Sequence, residues 1–469
     1  MIDRNDVIAV FSLPNQNVLV FHSLEFIFRI LPICLLLCAL MPGTGFSGIL
    51  LLGSLLLYWM AEPSLIWLLL AVLFVNYMLA WWIGCCERKG LRRFFLALSV
   101  LCDFGLLFGF KCAAFPFWKE NGAMPLGISF YIFRAVSYVA DVYTGQSSPE
   151  LSPFKLAVYL YMFPVMASGP ITRYGQISVQ LEKNMSLSNL EKGLRLFITG
   201  LASKVLIADR IGILWHEIQV IGFESISTPL AWMGAFAYTL MLYFDFSGYS
   251  LMAVGVGRML GLTLPENFHY PYAARSFTQF WRRWHITLGA WFRDYVYIPL
   301  GGSRKGRART CLNLLAVWLF TGIWHGNGWN YLLWGLLLWL LLTAEKLFLS
   351  RWLEKHRILS RLYMLILVPV TWIVFAITDL KELAVYFTRL FPIFGVAQGT
   401  VNGGDYIKYG KMFWLLFLFG WLFSQPWMER WYQRTKQNLL WSVSLLVVFW
   451  VCIYYLVNTA SNPFLYFSF

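Results

Sequence analysis

Charge is scarce in this chain: Asp, Glu, Lys and Arg make up 13% of its 469 residues, against roughly a quarter in soluble globular proteins. Acids are the scarcer sign, 23 against 37 basic residues, and there are six histidines. Long polar stretches are missing too. The longest, 171–194, 379–409 and 425–438, are loop-sized, and no internal repeat or long linker divides the chain. These absences exclude a water-soluble domain and predict one membrane-embedded domain over 18–469, preceded by a short extension at 1–17. The eight cysteines (Cys34, Cys38, Cys85, Cys86, Cys102, Cys112, Cys311, Cys452) fall mostly within apolar runs and show no Cys-x-x-Cys spacing with histidines. They read as small core hydrophobes, with neither a metal site nor a disulfide framework expected.

What is present is apolar. The chain is 59% hydrophobic and 19% aromatic, with a mean hydropathy of +0.63. A bilayer core takes roughly 20 apolar residues per helix. Runs near 24–41, 46–61, 64–86, 93–114, 122–142, 155–170, 194–215, 229–262, 311–325, 328–348, 361–378, 410–424 and 440–458 predict an all-α, polytopic membrane protein. About 11 of these helices would span, with one or two re-entrant or interfacial. The first run follows Glu25 and Arg29 with no basic region before it and no small-residue cleavage site after it, so it is expected to stay in the membrane. Basic clusters at 87–93, 304–309, 351–361 and 430–436 mark cytoplasmic loops. Parity then puts both termini outside the cytoplasm, while the mixed-charge loops within 122–262 allow more than one count.

The basic excess is concentrated. Between 275 and 309, Arg275, Arg282, Arg283, Arg293, Arg304, Lys305, Arg307 and Arg309 face a single acid, Asp294, a net +7. At about 100° per residue Trp281, Trp284, Leu288, Trp291, Phe292 and Tyr295 collect on one face of 277–297, which predicts an aromatic amphipathic helix with Arg282 and Arg293 together on its flank. Such a helix anchors in an anionic lipid interface or, since fixed guanidinium groups suit phosphate bidentately, holds a phosphate-bearing ligand. Upstream, Asp245 and a Ser-Gly pair interrupt an apolar run, and Pro265 ends it.

Two histidines sit in tryptophan- and glycine-flanked motifs, Trp-Arg-Arg-Trp-His at 281–285 and Gly-Ile-Trp-His-Gly at 322–326. A titratable ring at membrane depth is costly without a partner and marks a candidate functional site. From Cys311 to Trp324 the chain rises about 21 Å as a helix, short of a bilayer core, so His325 is expected within the membrane profile. Gly322, Gly326 and Gly328 allow close backbone approach and a helix break there. With a near-neutral ordinary pKa, His325 suits general-base work on a hydroxyl or thiol; a structural histidine with a backbone partner is the plainer alternative. His22, His216, His269 and His356 lie near segment ends and read as structural.

These motifs resemble those of the membrane-bound O-acyltransferase superfamily, in particular its bacterial alginate-type O-acetylating branch. The resemblance is carried by Phe244-Asp-Phe-Ser-Gly-Tyr249, Pro265-Glu-Asn-Phe268, Phe280-Trp-Arg-Arg-Trp-His285, Trp291-Phe-Arg-Asp-Tyr295, Ile298-Pro-Leu-Gly-Gly302, Trp324-His-Gly326 and Leu333-Trp-Gly335. It implies a ring of tilted helices around a central funnel and tunnel in a bacterial cytoplasmic membrane, with no bound cofactor. His325 would be the catalytic base and His285 a second catalytic histidine. Arg282, Arg283, Arg293, Trp281 and Trp284 would bind the donor or stabilise charge on it, and Asp245, Asp294 and Asn267 would orient these groups. Acetyl-CoA, or another acyl thioester on a carrier, would be the co-substrate. An extracytoplasmic acceptor protein and a polysaccharide would be the partners, and nucleic acid would not be one. The related D-alanyl transfer toward teichoic acid, from a carrier-protein thioester, is the neighbouring alternative. A transporter or flippase would instead show inverted repeats and charges spread along several helices.

Overall fold

Helices account for every regular element among the described residues, which are 21–41, 43–111, 124–181, 185–394, 401–435 and 438–458 of the computed structural model. The expected extension at 1–17, Cys112 and Lys436 of the last basic cluster lie outside them. Among the described residues seven helices are long and apolar enough to cross a membrane: Thr44–Ala61, Pro63–Cys85, Lys89–Lys111, Thr228–Met259, Trp329–Lys355, Arg357–Ala376 and Leu439–Asn458. The protein is an all-α, multi-pass membrane protein. Other predicted runs became helices of different character, for local reasons. The run at 155–170 breaks after Tyr161, where Met162 turns out of helical geometry and Pro164 starts a new turn. The run at 194–215 passes through a π-helical turn, Ser203–Ala208, that holds Lys204, and then into a helix that begins with Asp209 and Arg210.

The helices are named α1 (Leu31–Leu40), α2 (Thr44–Ala61), α3 (Ile66–Cys85), α4 (Lys89–Lys111), α5 (Ile128–Thr144), α6 (Pro153–Tyr161), α7 (Leu187–Ala202), α8 (Asp209–Ile221), α9 (Thr228–Met259), α10 (Phe277–Trp281), α11 (Ile286–Phe292), α12 (Arg307–His325), α13 (Trp329–Ala344) and α14 (Arg357–Ala376). The described residues form two compact units, one of those within 21–201, 249–265 and 453–458, the other of those within 202–248 and 266–452.

In the first unit α3, α4 and α5 pack together. Backbone groups are satisfied within each helix, so the side chains that must find partners are the buried polar ones. Asn76 on α3 donates to Asp103 on α4 at 2.9 Å, and Ser99 donates to Asn76 at 3.0 Å. The guanidinium of Arg134, fully buried in α5, donates to the carbonyls of Phe130 and Tyr159.

In the second unit α12 and α13 form a tight antiparallel pair, with α14 against α13. Glycine makes that closeness possible. A Cβ on Gly322 would lie 2.6 Å from the Tyr331 carbonyl oxygen, and one on Gly335 2.5 Å from that of Trp318. Asn330, buried at the start of α13, donates to the Phe375 carbonyl at the end of α14 at 2.9 Å. The end of α12, the start of α13 and the end of α14 are thereby brought together around His325.

Candidate active site

His325 is the last residue of α12 and is 5% exposed. It meets the edges of Trp334 on α13 at 5.2 Å between centroids and of Phe375 on α14 at 5.0 Å, with Trp324 at 4.5 Å. Gly326 and Gly328 follow, each with a neighbouring side chain so close that a Cβ would collide with it. The glycine-lined helix end expected at His325 is therefore present, and an aromatic wall of Trp334 and Phe375 surrounds the ring.

The segment 277–297 is not the single amphipathic helix its periodicity predicts. It breaks at His285, which adopts left-handed backbone geometry at φ 44° between α10 and α11. Asn267 causes the break. Its backbone carbonyl accepts from the Ile286 amide at 2.9 Å, and its side-chain Oδ1 accepts from the Thr287 amide at 3.2 Å and the Thr287 hydroxyl at 2.9 Å. These bonds cap α11 and compete with continuing α10. The Pro-Glu-Asn-Phe motif thus works as the lock of a helical hairpin, and the His269 amide donates to the Arg283 carbonyl beside it. Left-handed geometry at a non-glycine residue costs about 1–3 kcal/mol and concentrates at functional sites.

The same Asn267 oxygen lies 3.0 Å from His285 Nδ1. Because that oxygen already accepts from the Thr287 amide, Nδ1 is the donor, and the lone pair resides on Nε2. His285 is 3% exposed, and burial lowers its pKa to about 3, so the ring is neutral. The Phe246 ring on α9 stands edge-on to it at 4.8 Å. From Trp284, next to His285, ring contacts run to Trp372 at 4.9 Å, from Trp372 to Phe375 at 5.8 Å, and on to His325. Trp281 joins this assembly through Trp318, Trp334 and Trp372. The structure thus gathers His325, His285, Trp281, Trp284 and Asn267.

The charged residues fall elsewhere. Arg282 and Arg293 do not share a flank, since the helix break intervenes, and both are exposed. Arg293 pairs with its neighbour Asp294 at 2.7 Å, and Arg283 donates to the Tyr270 carbonyl. Asp245 pairs at 2.6 Å with Lys204, both buried, and Lys204 also holds the half-buried Asp209 at 2.8 Å, an ionic group on three elements. Asp245 therefore ties α9 to the π turn before α8, and Phe246 beside it faces His285. Trp318, Trp334, Trp372, Phe246 and Lys204 are site residues that sequence reasoning missed. Of these, Trp334 and Phe246 lie inside motifs carrying the resemblance, whereas Trp318 and Trp372 read as ordinary apolar positions.

The family model for the membrane-bound O-acyltransferase family matches residues 55–387. The chain is 35% identical over 392 residues to the probable alginate O-acetylase AlgI of Pseudomonas putida, covering 80% of each chain. It is 31% identical over 425 residues to the peptidoglycan O-acetyltransferase of Helicobacter pylori, again covering 80% of each. A teichoic acid D-alanyltransferase of Bacillus subtilis is 29% identical over 244 residues, 50% of this chain and 61% of that one. Both histidine hairpins lie within the matched stretch, and the chain belongs to the membrane-bound O-acyltransferase family.

Proposed function

We propose that this acyltransferase takes acetyl from acetyl-CoA on the cytoplasmic side of a bacterial cytoplasmic membrane and passes it to a hydroxyl on the other side, for O-acetylation of a polysaccharide through an extracytoplasmic partner protein. The observation that carries the reading is His325, buried at a glycine-broken helix end against Trp334 and Phe375, in a chain of this family. The relatives named for alginate and peptidoglycan acetylation extend over more of the chain than the D-alanyltransferase does. The orientation is read from the basic loops, taken as cytoplasmic.

In the proposed step the acceptor oxygen attacks the thioester carbonyl carbon while its proton passes to the His325 ring. The C–S bond then breaks and the departing thiolate takes that proton, leaving a free thiol and a new ester. His285, with Nδ1 held as a donor by Asn267, presents Nε2 as an acceptor for a hydroxyl or thiol proton. The exposed Arg282, Arg293, Arg304, Lys305, Arg307 and Arg309 suit the phosphates of a CoA donor.

The test is transfer of radiolabelled acetyl from acetyl-CoA by purified protein, wild type beside His325→Ala, with a D-alanyl carrier protein as competing donor. Wild type is expected to use acetyl-CoA, and the variant to lose about 100-fold or more, 100-fold being the lower end of what a general base contributes. A correctly inserted His325→Ala protein at full rate would remove the central role. Use of the D-alanyl carrier alone would redirect the donor to the D-alanylating branch.

A further inference from the structure

Glu345 is 1% exposed and lies inside the candidate span Trp329–Lys355. A carboxylate buried there needs several donors to offset its lost hydration. It has four. The amides of Phe277 and Thr278 donate to it at 2.6 and 2.8 Å, the Thr278 hydroxyl at 2.7 Å and the Tyr363 hydroxyl at 3.3 Å. Phe277 and Thr278 are the first two residues of α10, whose amides have no partner within the helix. Ser276, the residue before them, caps the next free amide, that of Gln279, at 3.1 Å. A π-helical turn, Glu345–Leu349, begins at the carboxylate-bearing residue itself, and such turns recur at functional sites.

The three elements joined by this carboxylate are those that build the site. α10 carries Trp281, and the hairpin continues to Trp284 and His285. The helix that passes through Glu345 carries Trp334, and α14 carries Tyr363, Trp372 and Phe375. The four donors to Glu345 come from Phe277, Thr278 and Tyr363 and not from His325 or His285, so its influence on the chemistry passes through the parts it holds.

We propose that Glu345 is a positioning residue: its carboxylate clamps the N-terminus of the helical hairpin to α13 and α14 and thereby sets the placement of Trp281, Trp284 and His285 relative to His325. The proposal rests on the reading of His325 as the reacting centre.

Its test pairs a structural readout with a kinetic one, on the full-length protein in lipid nanodiscs. Hydrogen exchange by mass spectrometry follows the peptide covering 274–286, and acetyl transfer gives kcat and the donor KM per folded molecule. In Glu345→Gln, which removes the charge and turns an amide toward two N–H donors, exchange in that peptide is expected to accelerate about tenfold, the ratio for 1.4 kcal/mol of local opening. The kcat should fall by about 100-fold, as for a misplacement near 1 Å, with the donor KM changed less than about threefold. Glu345→Asp, which keeps the charge on a shorter stem, should fall between the two.

Unchanged exchange in Glu345→Gln would show that the carboxylate does not hold the hairpin. Faster exchange at wild-type kcat would show holding without positioning, and either result overturns the proposal. If Glu345→Gln fails to insert, Thr278→Val deletes one donor alone and should show both effects in smaller measure; a normal Thr278→Val protein overturns the proposal as well. His325→Ala separates the two readings: it should abolish transfer and leave exchange at 274–286 at the wild-type rate. Transfer surviving in His325→Ala counts against the site reading, while the exchange result still judges the clamp.

Discussion

At the residue scale the two histidines differ in how they are held. His285 has a defined partner, a defined tautomer and an unusual backbone geometry, all traced to Asn267. His325 is enclosed by ring edges at the end of a helix. The environment of His285 has a consequence for pH. Its ordinary pKa near 6.5 falls to about 3 in the folded protein because burial disfavours the cation. Between those values the unfolded chain binds a proton that the folded chain does not, so stability is complete above pH 6.5 and is lost as pH falls through the window. The slope is about 1.4 kcal/mol per pH unit at most. Thermal melts of wild type and His285→Gln at pH 7.5 and pH 5 check this: the drop between the two pH values should be smaller in the variant. An equal drop would mean that His285 is charged in the folded protein at pH 5.

At the element scale the site depends on how closely α12 and α13 approach. A Cβ at Gly335 would meet two backbone atoms of Trp318, at 2.5 and 3.3 Å, which cannot move aside as a flexible side chain does. Gly335→Ala should therefore push the two helices apart at a cost of about 1–3 kcal/mol, seen as a lower unfolding temperature together with a loss of transfer. Gly105 on α4 has nothing within 4 Å of the same added atom. Gly105→Ala should be neutral or stabilising by up to about 1 kcal/mol through helix propensity alone. Equal effects from the two changes would show that the contact does not hold the pair together. The closeness was legible in the sequence around Gly322 and Gly326, because small residues beside a tryptophan and a histidine have few other uses in an apolar run. The break at His285 was not. Periodicity registers which residues would share a helix face, but it has no knowledge of an asparagine 18 positions earlier whose oxygen outcompetes the helix. Glu345 escaped notice for a similar reason: a lone acid at the end of an apolar run looks like a span boundary until the hairpin amides reach it. Lys204, Arg293 and Glu345 all lie in π-helical turns, local departures from regular pitch that composition does not reveal.

At the scale of the whole molecule, hydropathy identified the class because a chain with so few charges must satisfy its backbone internally and can do so in a bilayer only with helices or closed barrels. The few buried charges are grouped with partners, as in Lys204 with Asp209 and Asp245. The exposed ones carry the orientation signal. Ser303 lies in the exposed turn before α12, next to Arg304, Lys305, Arg307 and Arg309. The excess of positive charge in short loops marks the side that is not translocated, and that same loop is where a phosphate-bearing donor would arrive. A single cysteine at this point, Ser303→Cys with the eight native cysteines replaced, reports the side directly. A membrane-impermeant maleimide should leave it unlabelled in intact spheroplasts and label it once the membrane is opened. Labelling in intact spheroplasts would place the basic loop outside, where acetyl-CoA is absent, and the donor would then have to be a thioester presented on the opposite face.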